Sequence, residues 1–153
     1  MKKIPLIFLT LLPTFVCAEN EMDGWYVSQK NRYLVREMVY GKLYAEIAHS
    51  KSQKIRFYIN AYDADCIKKV GTGIISHQPL YINKKLVRMS QYCDGNEHIY
   101  YPSTDEGNEY VINQFKARDS VEIKTHDESV RFVFSAKNFK SIYFELNDVN
   151  AGI

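Results

Sequence analysis

The sequence lacks the short motifs that usually mark an enzyme or a metal centre. It contains no GxSxG nucleophile elbow, no HExxH or CxxC pair and no GxGxxG loop. The four histidines, His49, His77, His98 and His126, stand apart, with no second ligand at one-turn helical spacing. We therefore predict no catalytic residue, no metal site and no cofactor.

The chain has only a small formal net charge, +2, and it has no long apolar run. This excess comes from Lys2 and Lys3, which lie in an N-terminal segment that we expect to be removed. The rest of the chain has 18 basic and 18 acidic residues. A chain with no basic excess has no general attraction for nucleic acid or for an anionic membrane surface. No apolar run reaches the ~20 residues that a transmembrane helix needs. We expect no nucleic-acid partner and no stable membrane insertion.

The first 18 residues are typical of a secretory signal peptide. Two lysines precede an apolar run that ends at Val16, and Ala18 is the small residue before the expected cleavage. The remaining chain, residues 19–153, has the length of a single globular domain. We expect this domain in the periplasm, with secretion as the alternative. Lipid attachment at Cys17 is the competing interpretation, and Val16 fits it less well.

Cysteine is scarce, with three in the chain and two beyond the signal peptide. An even number in an exported protein predicts a structural disulfide, here Cys66 to Cys93. A bridge closing a loop of about 27 residues contributes roughly 3–4 kcal/mol. Oxidised cysteines offer no thiolate, so neither is a candidate nucleophile.

Alternating apolar and polar residues predict several short strands. Residues 55–61 alternate along one strand, and two hairpins are predicted, over 79–89 and over 121–134. The stretch Arg32–His49 fits both a helix and two strands by periodicity, and Gly41 favours two strands joined by a turn.

Two short helices complete the prediction. Ser103 and Glu106 have capping-box spacing, which predicts a helix over Thr104–Ala117. A closing helix is indicated by apolar residues at i, i+3, i+4 and i+7, namely Phe139, Ile142, Tyr143 and Leu146. We predict a mainly β (α+β) fold, either a β-sandwich or a small barrel-like antiparallel sheet, with two short helices and one disulfide.

Aromatic and acidic residues are concentrated just after Cys93 and form the candidate partner-binding surface. They are His98, Tyr100, Tyr101, Asp105, Glu106, Glu109 and Tyr110. Partly exposed tyrosines are common at protein interfaces, and a loop held by a disulfide and a helix start would be pre-organised. The competing interpretation is that Tyr100 and Tyr101 alternate between the two faces of a strand.

The order of features after Pro79 resembles the invasion-associated locus B family of exported bacterial proteins. The matching segments are PLYINKKLVRM, the following Cys93, STDEGNEYVINQF, SVEIKTHDESVRFVF and SAKNFKSIYFEL. This resemblance implies a related fold and an exported envelope or host-interaction factor, without catalytic residues.

A small exported chain with one disulfide, no net charge and no active-site motif is also similar to periplasmic immunity proteins of the pesticin-immunity type. That resemblance implies an inhibitor that neutralises a protein partner, most simply a toxin or lytic enzyme that degrades murein.

Overall fold

The computed structural model describes residues 23–148. Nine strands are present in these residues: β1 (Tyr26–Val27), β2 (Tyr33–Arg36), β3 (Leu43–His49), β4 (Ile55–Tyr62), β5 (Ile75–Ile82), β6 (Lys85–Asp94), β7 (Glu97–Pro102), β8 (Ser120–Lys124) and β9 (Arg131–Ser135). Two α-helices, α1 (Asp105–Ala117) and α2 (Phe139–Asp148), and a 3₁₀ helix, Ala64–Lys69, accompany them. The expected signal peptide, residues 1–18, lies outside the described residues.

All nine strands belong to one antiparallel sheet with the order β1-β2-β3-β4-β7-β6-β5-β8-β9. The sheet curls until its two sides meet, and Glu37 after β2 forms a bridge with Phe134 in β9. The mainly β prediction is therefore confirmed, in its barrel-like form, as a single curled sheet. No helix within residues 23–148 has both the length and the apolar character to cross a membrane.

The two helices cover the inner face of the sheet. The Phe115 ring of α1 lies 5.5 Å from Phe57 of β4 and 5.0 Å from Phe139 of α2, measured between centroids. Trp25 meets Phe115 and Phe139 edge-on at 5.3 and 5.0 Å, and it is buried. Aromatic pairs at such distances add to the apolar burial, which makes Trp25 an anchor of the core.

Local sequence patterns predicted several elements close to their observed positions. The ambiguous stretch 32–49 forms two antiparallel strands, β2 and β3, as the turn at Gly41 indicated. Both predicted hairpins are present, and Asn83 and Lys84 have positive φ angles of 44° and 73° in the tight turn between β5 and β6. The helices over 105–117 and 139–148 confirm the two helix predictions.

Two local predictions were wrong. The N-cap of α1 is Thr104, whose hydroxyl accepts a hydrogen bond from the Gly107 N–H at 3.0 Å, so Ser103 and Glu106 form no capping box. The sequence pattern over 70–75 predicts an extended segment, in which Gly71 and Gly73 indicate a bulge or close packing of another segment. They lie in an exposed turn with open space around them, and their positive φ angles of 83° and 92° explain the choice of glycine.

Candidate protein-binding surface

The structure separates the seven candidate binding residues into three places. Because side chains alternate along a strand, His98 and Tyr100 of β7 point to the inner face and Tyr101 to the outer face. Asp105, Glu106, Glu109 and Tyr110 belong to α1, which packs on the inner face. Tyr101 and Glu109, which the sequence grouped into one surface, therefore lie on different layers of the fold.

The α1 residues of this group have mainly local structural contacts. Asp105 pairs with Lys54 at 2.5 Å and also with Arg56. The pKa of Asp105 lies below its usual value, mainly because its carboxylate accepts the hydrogen bond from Lys54. The Tyr110 hydroxyl donates to the Ile82 carbonyl oxygen at 3.0 Å. Glu106 and Glu109 are exposed, and Glu109 lines an open groove between the two helices.

His98 and Tyr100 form an aromatic stack beside the disulfide. Their rings stack at 4.5 Å, and His77 of β5 meets Tyr100 edge-on at 4.9 Å. Asp63 approaches the other side of His98, with 3.6 Å between its carboxylate and Nδ1. Burial lowers the pKa of His98, Lys69 lowers it further, and Asp63 acts in the opposite direction. His98 is thus mainly neutral at pH 7.

The titration of His98 is a direct check of this arrangement. We expect its NMR midpoint below the ordinary value of 6.5. Asp63→Asn should move the midpoint lower, because it removes the charge that favours protonation. Lys69→Gln should move it higher, because it removes a charge that opposes protonation. A wild-type midpoint at or above 6.5, or shifts of both variants in one direction, would contradict the arrangement.

The disulfide Cys66–Cys93 is present, with an S–S distance of 2.01 Å, and the prediction is confirmed. It ties the 3₁₀ helix to β6, at the point where the chain between β4 and β5 crosses the β6–β7 hairpin. The sulfur atoms and a ring nitrogen of His98 lie within 4.8 Å of one another. While the sulfurs are bonded to each other, they offer no thiolate to a metal ion.

The crossing segment and the two strand residues that flank it expose several large apolar side chains. We call this group the apolar tip: it consists of Tyr62, Ile67, Val70, Ile74 and Ile75. Ile67 and Ile74 expose 60% and 66% of their surface, although both are large apolar residues. Clustered exposure of this kind is a feature of interaction sites in soluble proteins. The tip was not predicted from the sequence, although its apolar residues flank two glycines.

A second feature is a pocket of about 430 Å³ on the outer face, which we call the tyrosine pocket. Its lining includes Arg32, Glu46, Tyr58, Asn60, Tyr92, Asp94 and Glu97. Tyr101, the remaining candidate, packs against Tyr58 and Tyr92 at centroid distances of 5.9 and 6.0 Å. One sequence-predicted residue thus packs beside the pocket, and the residues that line the pocket lie on β3, β4, β6 and β7 or precede β2.

Ion pairs organise the tyrosine pocket. The Arg32 guanidinium donates to the carboxylates of Glu46 and Glu97, with closest distances of 2.7 and 2.9 Å. The pKa of Arg32 is raised, mainly because its guanidinium is hydrogen-bonded to Glu46. Burial, with Tyr58 and Asp94 nearby, raises the pKa of Tyr92 to about 12. At neutral pH the pocket therefore combines three carboxylates, one guanidinium and neutral phenol groups.

Comparison of the chain with protein-family models, with curated proteins and with solved structures found no match. The resemblances to invasion-associated locus B proteins and to pesticin-type immunity proteins therefore stay predictions. Any assignment of function rests on the surfaces of this chain.

Proposed function

We propose that this protein is a periplasmic inhibitor that binds a protein partner through the apolar tip. The observation that carries the proposal is the exposure of five large apolar side chains on one short segment. Burying such side chains against a partner yields roughly 25 cal/mol for each Å² of apolar surface removed from water. Solvent exposure of the tip in the free protein thus favours association.

The anchoring of the tip supports tight binding. The disulfide fixes its first half to β6, and Asp63 caps the 3₁₀ helix by accepting a hydrogen bond from the Asp65 N–H at 3.0 Å. A segment that is already ordered loses less conformational entropy when it binds. The tip therefore has the pre-organisation that inhibitor loops use.

Two exposed lysines in the tip segment suit a partner that offers carboxylates in its cleft. Lys68 and Lys69 are exposed beside Ile67 and Val70. Lys68 pairs at 3.0 Å with Asp65, but both groups are highly exposed, and such pairs are weak. Either lysine can therefore turn towards a carboxylate of a partner. Enzymes that hydrolyse glycosidic bonds carry a pair of carboxylates in the cleft, which fits a murein-degrading bacteriocin as the partner.

A protection assay tests the proposal. The protein is exported to the periplasm of sensitive cells, which are then challenged with a panel of murein-degrading toxins that includes a pesticin-type muramidase. We expect protection by the wild type, and at least a tenfold weaker protection by Ile67→Ser/Ile74→Ser, because the double variant removes apolar surface from the tip.

Leu86→Ser/Phe144→Ser is the matched control, since it removes two other exposed apolar side chains and should protect fully. Absence of protection by the wild type against every toxin would reject the immunity function. Full protection by the tip variant would place the binding surface elsewhere. Recovery of the protein mainly from the medium or the cell surface would favour the alternative, an exported envelope or host-interaction factor.

A further inference from the structure

We propose that the tyrosine pocket is a binding site for a cationic group, either an ammonium or a guanidinium. The group belongs to a small amine or to a Lys or Arg side chain of another protein. This site is separate from the apolar tip, and the proposal does not depend on the inhibitor function.

The charge balance of the pocket favours a cation. Glu46, Asp94 and Glu97 supply three negative charges, and Arg32 supplies one positive charge. The side chain of Glu46 is only 13% exposed, so its interactions are screened by solvent less than those of a surface group. Arg32 is held by four hydrogen bonds to Glu46 and Glu97, and none of the hydrogen bonds described for it involves Asp94. A second cation therefore has a carboxylate available at the Asp94 side.

Aromatic rings line the same pocket. Tyr58 and Tyr92 both contribute to the lining, and Tyr101 supports them from the side. A cation over the face of an aromatic ring is attracted by the negative charge of that face, and the attraction strengthens as the site becomes less hydrated. The raised pKa of Tyr92 keeps its phenol neutral at physiological pH. Acids and neutral rings in one concavity form the combination that recognises alkylammonium and guanidinium groups.

Asn60 supplies an unpaired buried acceptor to the same pocket. Its side chain is on the outer face beside Glu46, and Nδ2 donates to Glu46 Oε2 at 2.7 Å. Asn60 is only 3% exposed, and its Oδ1 atom has no hydrogen-bond partner among residues 23–148. A buried carbonyl oxygen without a donor is destabilising, because it has lost its hydrogen bonds to water. Ammonium and guanidinium groups carry several N–H donors and no acceptor, so they complement an unpaired carbonyl oxygen, whereas an anion does not.

The test uses ethylguanidinium and n-butylammonium as probes, with n-butanol as the uncharged analogue. Binding is followed by ¹H–¹⁵N chemical shifts at low ionic strength, because salt screens the attraction. We expect saturable binding of both cations at millimolar concentration, with shifts centred on residues 58–60 and 92–94. The uncharged analogue should bind at least tenfold more weakly.

Variants locate the site. Asp94→Asn should weaken binding by about threefold to tenfold, and Tyr92→Leu by about tenfold, as expected for one carboxylate and one ring. Asp119→Asn is the matched control, because it makes the same chemical change outside the lining of the pocket, and it should bind like the wild type. A folded Asp94→Asn/Tyr92→Leu variant with unchanged affinity would overturn the proposal, as would equal binding of n-butanol.

A capped Gly-Arg-Gly peptide distinguishes a side chain of another protein from a small free amine or guanidine. Affinity at least tenfold above that of ethylguanidinium indicates a side chain of a protein, because flanking backbone then adds contacts. Equal affinity indicates a small free amine or guanidine. Absence of saturable binding of every cationic probe up to about 50 mM, a concentration at which even very weak complexes are populated, would reject the site.

Discussion

Replacing Glu37 with alanine is expected to lower the free energy of unfolding by about 4 kcal/mol, a large part of the 5–15 kcal/mol typical of a domain. Glu37 is only 2% exposed. Its carboxylate accepts backbone N–H groups from Val39, Tyr40 and Gly41 at 2.6, 2.7 and 2.9 Å. Alanine would leave three donors without an acceptor in the turn after β2.

The same carboxylate also joins the two sides of the curled sheet. It accepts the Val133 N–H of β9 at 3.3 Å, while the Met38 N–H donates to the Val133 carbonyl oxygen at 2.8 Å. These bonds accompany the bridge between Glu37 and Phe134. Loss of the carboxylate therefore weakens the turn and the closure of the sheet together, which is why we expect more than the ~1 kcal/mol of a single hydrogen bond.

Urea unfolding of three variants separates these effects. Glu37→Gln keeps one acceptor oxygen and should lose about half as much stability as Glu37→Ala. Glu109→Ala removes an exposed carboxylate from α1 and should change stability by no more than about 0.5 kcal/mol. A loss below about 1 kcal/mol in Glu37→Ala would show that the carboxylate contributes little to closure.

The role of Glu37 could not be predicted from the sequence. A glutamate between two strand-like segments is usually a solvated residue, and its acceptor role depends on the backbone of residues 38–41. The positive φ of Gly41, 64°, is part of that turn. The strands themselves were predictable, because alternation is a local property that each segment carries independently.

In the candidate site, too, features that depend on neighbouring residues were predictable, and contacts between distant residues were not. Tyr100 and Tyr101 are adjacent in sequence but lie on opposite faces, as their alternation in β7 requires. In contrast, Arg32 and Glu97 are in contact across 65 positions of the chain. Such a pair follows from the strand order, in which β7 lies beside β4, and no single-sequence pattern reports that order.

Asn108 illustrates how α1 acquires its position. Its side chain accepts the Phe57 N–H at 2.9 Å and donates to the Ile55 carbonyl oxygen at 3.0 Å. The pairing of β4 with β7 covers only Ile59–Tyr62. The two bonds from Asn108 satisfy β4 backbone groups that lie before this paired region. The helix prediction identified an apolar face but could not identify this buried polar contact, because an asparagine in a helix is more often exposed.

Removing the disulfide with Cys66→Ala/Cys93→Ala is expected to lower the free energy of unfolding by about 3–4 kcal/mol. The bridge spans 27 positions, and its loss restores the freedom of that loop in the unfolded chain. The melting temperature should fall by on the order of 10 °C. Thermal and urea unfolding under non-reducing conditions measure both quantities, and a loss below about 1 kcal/mol would contradict the expectation.

The disulfide variant should also show a local effect that Glu37→Ala does not share. The 3₁₀ helix and residues 70–74 are largely exposed, and the bridge is the covalent tie between this segment and β6. In the double variant we therefore expect amide hydrogen exchange over residues 63–74 to be faster than in the wild type, while exchange over β3 and β4 stays unchanged at temperatures where the sheet is folded. Weaker protection against the toxin under those conditions would follow, because a mobile tip loses entropy on binding. Unchanged exchange in this segment would show that packing alone holds the tip in place.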